Sequence, residues 1–565
     1  MKILLIYPYF LEQRVHEEEI TVVPIGLYYV GAALREKGHD VKILNWSRID
    51  RSIAEVDRTL LESQPDIIGF SVFHANRWGA IDLAQKAKAL FPHVKVVFGG
   101  IGATFLWEHL LTHFTQVDYV VLGEGEQSFL ALVRAIENPS EGSLDAIPGI
   151  AHRADGRPRL TAPPALVDDL DQLPDPANHF EFQHVATTRG CPGNCTFCGS
   201  PRFWGRKVRF HSPDYIVDQL ERLNRRGVRF FFFSDDTFTA KKTHVISICR
   251  KILERGLEIA WAAISRVDHV DEEILAWMRK AGCIQISYGV ESGSERIRAL
   301  FNKNIQEDDI KRAFRLTTRY GILSRAYFIY GAPGEDWGTI QETLDLMDAI
   351  KPLSAIFYVL DLFPGTALYS ELKARETFSD DIWLKRVEDI LYFETDPRLS
   401  AEMVLAFGKR LRGAFHEKLP DYVDAIDLVD REDLYPLHAD FLSRLGMTFS
   451  QGDYANIVSI KNKDQVAERL FLKALEYGPD HRAYLGLGIV RQKRRDFLAS
   501  AGVLEKGIRH FPESESLHLC LAISYMNLGR HEDAIPHLLK LPHSKEAASH
   551  LETCRQALRG KTSSS

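Results

Sequence analysis

Long apolar runs are missing from this chain. Each hydrophobic stretch breaks well short of the roughly 20 residues that a membrane-crossing helix needs, so no membrane span is expected. Basic blocks are missing too. With a formal net charge of −7 the chain offers no evident surface for nucleic acid. The apolar run at residues 3–6 is too short and too poorly flanked for a signal peptide, which points to the cytoplasm. Cysteine is scarce. Of seven, four (Cys249, Cys283, Cys520 and Cys554) are scattered singly, which argues against a disulfide framework and fits a reducing compartment. The rest is ordinary for a globular protein: 45% hydrophobic residues, 26% charged, and 565 positions. That length suits three or four domains of about 150 residues.

The other three cysteines lie within eight residues, in Thr187-Thr188-Arg189-Gly190-Cys191-Pro192-Gly193-Asn194-Cys195-Thr196-Phe197-Cys198. An apolar run over 184–188 reads as a strand leading in. Gly190, Pro192 and Gly193 then forbid a helix and force a loop. The spacing is Cys-x3-Cys-x2-Cys, and three thiols on one tight loop can converge on one metal centre. A structural zinc site wants four closed ligands. No second Cys pair follows, although His184 or His211 could complete a set. A cubane iron–sulfur cluster ordinarily takes four thiolates, and with three, one iron is left open for a substrate. The glycine, proline and asparagine around these thiols are not a core composition.

At these residues the chain resembles the radical S-adenosylmethionine (SAM) enzymes. Their hallmark is this loop after the first strand of a partial barrel, with an aromatic or apolar residue, here Phe197, before the third Cys. The resemblance implies that Cys191, Cys195 and Cys198 hold a 4Fe–4S cluster and that SAM chelates the open iron. One electron, from a flavodoxin- or ferredoxin-type reductant, then cleaves SAM to methionine and a 5′-deoxyadenosyl radical.

Before the loop, residues 1–140 alternate short buried-strand patterns with helical ones, which predicts a doubly wound parallel sheet of Rossmann or flavodoxin-like type. Ligands of such sheets sit beyond the carboxyl ends of the strands. Those ends read Ser71-Val72-Phe73-His74-Ala75-Asn76, Gly99-Gly100-Ile101-Gly102 and Gly123-Glu124-Gly125-Glu126. Their glycines let backbone approach a large ligand, and equally serve plain turns. Directly ahead of a radical SAM loop, this module resembles the cobalamin-binding domain of cobalamin-dependent radical SAM enzymes. The resemblance implies cobalamin contacts at Ser71, His74, Gly99, Gly100, Gly123, Glu124, Gly125 and Glu126. The Asp-x-His-x-x-Gly string whose histidine ligates cobalt in other cobalamin domains is absent from 1–140. That implies cobalamin with its own base displaced and no histidine from that motif. His74 and Arg77 follow the third strand and could face the lower side of the ring, and His74 equally suits a hydrogen-bonded loop histidine.

Prolines crowd 141–180, predicting an extended linker. Over 181–370 six strands alternate with the helices between them, predicting a (β/α)6 partial TIM barrel whose strand ends carry the chemistry. By resemblance, Ser234, Asp235 and Asp236 receive the SAM ammonium, although the family's usual Gly-Gly-Glu is replaced. Arg266 pairs with the SAM carboxylate. Glu291 and Ser292 hold the ribose, Gly331, Pro333 and Gly334 form the turn near the adenine, and Phe197 joins them in binding SAM. Taken singly, each is equally an ordinary salt-bridge or turn residue. Residues 371–447 read as a charged helical extension without a motif. Over 448–560, Gly488, Ser500, Leu504 and Gly507 recur as Ala522, Ala534, Leu538 and Leu541, a period of 34. The segment resembles tetratricopeptide repeats, which bind protein segments, and equally suits a helical cap.

The whole reads as an α/β enzyme with an all-α tail. Expected is a cobalamin-dependent radical SAM methyltransferase acting on an unactivated carbon or phosphorus of a small, natural-product-like substrate. A radical cyclase or rearrangement enzyme is the alternative, and a zinc-bearing scaffold the non-enzymatic one. No residue is singled out as catalytic. Reconstituted without air, the chain should bind about four irons. Ala at Cys191, Cys195 or Cys198 should abolish this, and Cys249→Ala should not. Zinc alone, measured by metal analysis, would sink the reading.

Overall fold

The computed structural model describes residues 1–12, 14–15, 23–47, 53–140, 143–375 and 378–562. The chain forms two compact units. One comprises residues 1–313, 325–349 and 355–411; the other comprises 314–324, 350–354 and 412–565.

The first unit opens with a seven-stranded sheet: β1 (Lys2–Tyr7), β2 (Asp40–Asn45), β3 (Ile67–Ser71), β4 (Lys95–Gly99), β5 (Tyr119–Val121), β6 (Ile150–Ala154) and β7 (Arg157–Leu160), in the order β2-β1-β3-β4-β5-β6-β7. The first five run parallel. Their near-continuous apolar sequences, such as Ile-Ile-Gly-Phe-Ser in β3, suit strands covered by helices on both faces. The order 2-1-3-4-5 reverses between β1 and β3, and a doubly wound sheet opens its ligand crevice at such a switch. The proline-rich segment does more than link. Its β6 and β7 form an antiparallel hairpin on the β5 edge, so the first module continues past 140. The prolines there sit at the hairpin and beyond it, where edge strands tolerate a missing N–H.

The second sheet has six strands. They are β8 (His184–Val185), β11 (Phe230–Phe233), β12 (Ala260–Ser265), β13 (Cys283–Glu291), β14 (Leu323–Tyr330) and β15 (Ser354–Val359), ordered β15-β14-β13-β12-β11-β8. Each neighbours its sequence neighbour, as a partial barrel requires. A two-stranded piece, β9 (Thr188–Arg189) with β10 (Arg209–Phe210), stands apart and carries the entry to the cysteine loop. Aromatic packing fills the barrel core, with Trp261 against Phe233 at 4.7 Å and Phe238 at 5.5 Å. After the barrel the expected helical extension holds over Ala401–Asp424 and from Tyr435 on, but not immediately after the barrel. Residues 378–399 run as an irregular strap with 3-10 turns at Asp380–Leu384 and Tyr392–Thr395.

The second unit is helical. Its helices His481–Lys493 and Phe497–His510 are followed by Glu515–Asn527 and His531–Leu539, each start displaced by 34 positions. A Cβ on Gly488 would lie 2.6 Å from Leu504, so the small residue lets the paired helices close up.

Gly102 shows how tightly strand ends are packed in the first module. It begins the helix Ile101–His113, and a Cβ there would lie 2.5 Å from the Phe73 carbonyl carbon and 2.6 Å from the His74 nitrogen. Gly102→Ala should therefore destabilise the chain by about 1–3 kcal/mol or more, because backbone must move. Chemical denaturation checks this, and a loss within about 0.5 kcal/mol, as at a free surface position, would contradict the packing.

Candidate active site

Gly190 takes the chain out of β9 at φ +105, where a Cβ would stand 2.7 Å from the Lys207 carbonyl oxygen. The cysteine loop that follows is pinned to the segment beyond β13. Thr196 N–H donates to the Phe301 carbonyl at 2.9 Å, and the Asn302 amide donates to the Asn194 carbonyl at 2.8 Å. Phe197 meets Phe301 edge-on at 4.9 Å. The sulfurs of Cys191 and Cys195 lie 3.4 and 3.9 Å from the point where a Cβ on Gly193 would stand, and Arg266 Nη1 lies 3.8 Å from it.

Two features bear on the metal. The histidines that could complete a zinc set are used elsewhere. His184 Nδ1 is 2.9 Å from the Ser234 hydroxyl. His211 Nδ1 is 3.1 Å from Asp171, and its ring stacks on Tyr215 at 4.1 Å. Burial also raises all three thiols, Cys198 to about 12, so thiolates here call for a bound cation.

The strand ends gather around this loop. Glu291 ends β13 at φ +66 and holds Lys303 Nζ at 2.7 Å. Lys303 is buried and interacts electrostatically with Cys195 and Arg266. No motif marked it in the sequence. Arg266, expected to fork onto a carboxylate ligand, places that fork on Asp268: Nε donates at 3.0 Å and Nη2 at 2.8 Å, which leaves Nη1 toward the loop. Asp236 accepts a short hydrogen bond from the Ser200 hydroxyl and acts electrostatically on Cys191 and Cys198.

Asp235 departs from expectation. Its Oδ1 accepts from the N–H and hydroxyl of both Thr187 and Thr188, at 2.5–3.0 Å, so it secures the strand into the loop, while its buried Oδ2 has no hydrogen-bond partner among the described residues. Ser292 is likewise a turn residue, accepting from Ser294 N–H at 3.1 Å. In the turn Gly331-Ala332-Pro333-Gly334, Gly331 and Gly334 are left-handed, and the Glu335 carboxylate accepts from Gly331 and Ala332 N–H. Arg296 donates to the Gly334 carbonyl at 2.9 Å.

A cavity of about 490 Å³ lies between these strand ends and those of the first module. Ser71, Gly99, Gly100, Gly123, Glu124, Gly125 and Glu126 line one wall; His184, Ser200, Phe203, Trp204, Ser234 and Asp236 line the other. It deepens into an apolar slot past Leu5, Leu27, Gly69, Val97 and Phe129, inside the sheet module. A Cβ on Gly69 would stand 2.8 Å from Leu5 and 3.5 Å from Phe129, so glycine keeps the slot open. A large, flat ligand with an aromatic appendage fits a shallow mouth over glycine-rich strand ends plus a dry slot.

His74 was expected at that wall and is not on it. Its Nε2 is 2.9 Å from Asp361 and 3.7 Å from Asp389, and its ring packs edge-on to Phe363 at 4.3 Å. Burial lowers its pKa to about 4, leaving a neutral ring committed to the strap. Arg77 is buried with it, donating to the carbonyls of His74, Trp383, Lys385 and Glu388. Glu124 and Glu126 do reach the wall, yet their carboxylates are already paired. Arg189 from β9 meets Glu126 at 2.5 Å and Glu124 at 3.4 Å. Arg209 from β10 bonds Glu124 and the Val167 carbonyl. Arg189 also lies over the rings of Trp204 at 5.1 Å and Tyr29 at 5.3 Å.

A cysteine-loop barrel facing a switch-point cavity in a parallel sheet defines a radical SAM enzyme with a cobalamin-binding module. The chain belongs to that family. Residues 185–347 match the model of the radical SAM superfamily, and residues 17–133 match that of the B12 binding domain. Its cofactors are a 4Fe–4S cluster, SAM and cobalamin. An uncharacterized methyltransferase of Pyrococcus horikoshii is 31% identical, over 68% of this chain and 86% of the relative. The anaerobic magnesium-protoporphyrin IX monomethyl ester cyclase of Rubrivivax gelatinosus is 30% identical, over 62% of this chain and 66% of the relative. In fold, the chain is similar to the radical SAM methyltransferase TsrM of Kitasatospora setae with cobalamin and a 4Fe–4S cluster bound. That likeness has a TM-score of 0.59 and 18% identity, over 84% of this chain and 99% of that one.

Arg189→Met would strand the buried Glu126 carboxylate, while Glu124 keeps Arg209. It should cost roughly 3–5 kcal/mol, and adding Glu126→Leu should recover part of the loss, since replacing both partners of a buried pair is far milder than removing one. Denaturation of the two single variants and the double variant checks this. Additive losses would mean the pair does not couple.

Proposed function

We propose that this chain is a cobalamin-dependent radical SAM methyltransferase that acts on an unactivated carbon or phosphorus centre of a small-molecule substrate. The observation that carries the reading is the single cavity walled by the strand ends of both modules, which brings the cysteine loop side and the cobalamin module to one space. When bound, the cluster supplies the electron that cleaves SAM, and cobalamin supplies a methyl carrier.

The chain's own residues prepare that space. Cys191, Cys195 and Cys198 hold the cluster, and Lys303 and Arg266 offset the charge of the thiolates. Arg266 Nη1 is the donor left for the SAM carboxylate, and Asp236 with Ser234 supplies acceptors for the ammonium. Glu291, oriented by Lys303, faces the ribose hydroxyls, and the Gly331–Gly334 turn beds the adenine with Phe197 nearby. Gly69, Gly99, Gly100 and Gly123 admit the corrin and its displaced base. Phe203 and Trp204 keep water from the shared cavity. His184, an imidazole on the cavity wall, is oriented by the Ser234 hydroxyl 2.9 Å from its Nδ1.

A cyclase-type radical reaction is the second reading, favoured by the similarity to the anaerobic cyclase. Methyl transfer is preferred because the relative called a methyltransferase matches over more of both chains. The reading includes a cytoplasmic location, in keeping with seven free cysteines, and a flavodoxin- or ferredoxin-type reductant. The helix pairs of the tail serve as tetratricopeptide-like repeats that take a protein segment.

The experiment uses SAM labelled in its methyl group, a low-potential reductant, cobalamin-loaded enzyme and a panel of small natural-product candidates. Label should enter the product, with S-adenosylhomocysteine and 5′-deoxyadenosine formed alongside. Turnover giving 5′-deoxyadenosine without S-adenosylhomocysteine or labelled product would reject methylation and favour the cyclase reading.

A further inference from the structure

Away from the cavity, the helix Ile101–His113 carries His109 and His113 four positions apart, on one face. Their ring centroids are 4.6 Å apart. The 3-10 turn Asp380–Leu384 of the strap brings Asp381 beside them, with Oδ1 4.0 Å from His113 Nε2. One donor atom from each of the three residues lies within 4.8 Å of the other two. His109 is only 8% exposed, and its Nε2 has no hydrogen-bond partner among the described residues. An unmet buried nitrogen is unfavourable and calls for a partner. The neighbouring Asp380 is engaged elsewhere, accepting from the Tyr369 hydroxyl at 2.5 Å and from Lys373 at 2.7 Å.

We propose that His109, His113 and Asp381 form a binding site for a borderline divalent cation, Zn²⁺ first among them, that ties the first module to the strap. Two imidazoles and a carboxylate select zinc, cobalt(II) or nickel over magnesium and calcium, which prefer all-oxygen sets. A histidine pair at i and i+4 presents two ligands from one rigid helix, as in zinc-binding helices generally. Zinc–nitrogen bonds of about 2.0–2.1 Å put ligands about 3.4 Å apart, so the triad closes by small side-chain rotations. His113 and Asp381 are the open side of the site, at 35% and 72% side-chain exposure, which leaves a fourth position to water. Leu110 stands where a hydrolytic zinc helix would carry its glutamate base. The site is therefore a cross-link, not a second reaction centre.

The cysteine loop also binds metal, so the test must separate the two. In the full-length Cys191→Ala, Cys195→Ala, Cys198→Ala variant, titration with Co²⁺ should give about one bound ion, the single-site count. Visible d–d bands should appear without the near-ultraviolet sulfur charge-transfer band, and Zn²⁺ should displace the cobalt. Equilibrium dialysis of the cluster-reconstituted parent chain should return the same extra ion. His113→Ala and Asp381→Asn, both at exposed positions, should each weaken Co²⁺ binding by at least about 100-fold, beyond the 10–100-fold that loss of an outer hydrogen-bond partner causes. No ion bound at up to about 1 mM Co²⁺ in either preparation would overturn the proposal. So would unchanged affinity in both variants.

Discussion

Four buried charges hold this enzyme's two chemical halves in register. Glu124 and Glu126 stand at the end of β5, while Arg189 and Arg209 stand on the β9–β10 piece that launches the cysteine loop. An unpaired carboxylate or guanidinium at this depth would be prohibitively costly. Each pair is therefore tolerable only when the sheet module and the loop meet in one arrangement. Hydrophobic contact alone would not impose this, since apolar surfaces can slide at little cost. Directional charge pairs cannot, and Arg189 is further fixed between the rings of Trp204 and Tyr29. The cavity takes its shape from this constraint, because both glutamates lie on its wall.

Within that frame the site is electrically polarised. Lys303 and Arg266 lie beside Cys195 and Cys191, while Asp236, bound by Ser200, lies on the cavity side. Opposite charges therefore stand on two sides of the loop, a fixed local field. The slot past Gly69 contrasts with it, being lined by the apolar side chains of Leu5, Leu27, Val97 and Phe129. A Cβ on Gly69 would intrude there.

The sequence made the fold legible wherever local pattern coincides with architecture. Six barrel strands, the parallel module and the three-thiol loop are all periodic or punctuated by glycine and proline, and the structure has them in that order. It was less informative about what each strand-end side chain does. Glu124 and Glu126 mark a wall of the cavity, but their partners lie 85 and 63 positions away, and no local rule reports that pairing. Asp235 and Asp236 are adjacent and chemically identical. Alternation along the chain sends one into the threonines of the loop strand and the other to the cavity, a difference set by tertiary register alone. Lys303 was invisible for the same reason: a lone lysine after a strand reads as surface until Glu291 and Cys195 are seen around it. His74 read as a ring-facing residue because it follows a strand end, and Asp361 from beyond β15 draws it away.

The strap, residues 378–399, showed no motif in the sequence. It pairs Arg386 with Asp82, but much of its hold on the first module is made through main-chain carbonyls. Arg77 takes the carbonyls of Trp383, Lys385 and Glu388, and the Trp78 indole N–H takes Lys385 as well. Arg14 forks onto Glu394 and also reaches the Asp389 carbonyl. A carbonyl is present at every position, so a segment recognised by its backbone can vary in sequence and leaves no signature to read. The information sits instead on the receiving side, in Arg77, whose burial is intelligible only if several acceptors surround it. The first module is accordingly gripped twice, by charge pairs at the cysteine loop and by buried arginine at the strap. With two independent attachments on different elements, the cavity walls cannot separate unless both give way together.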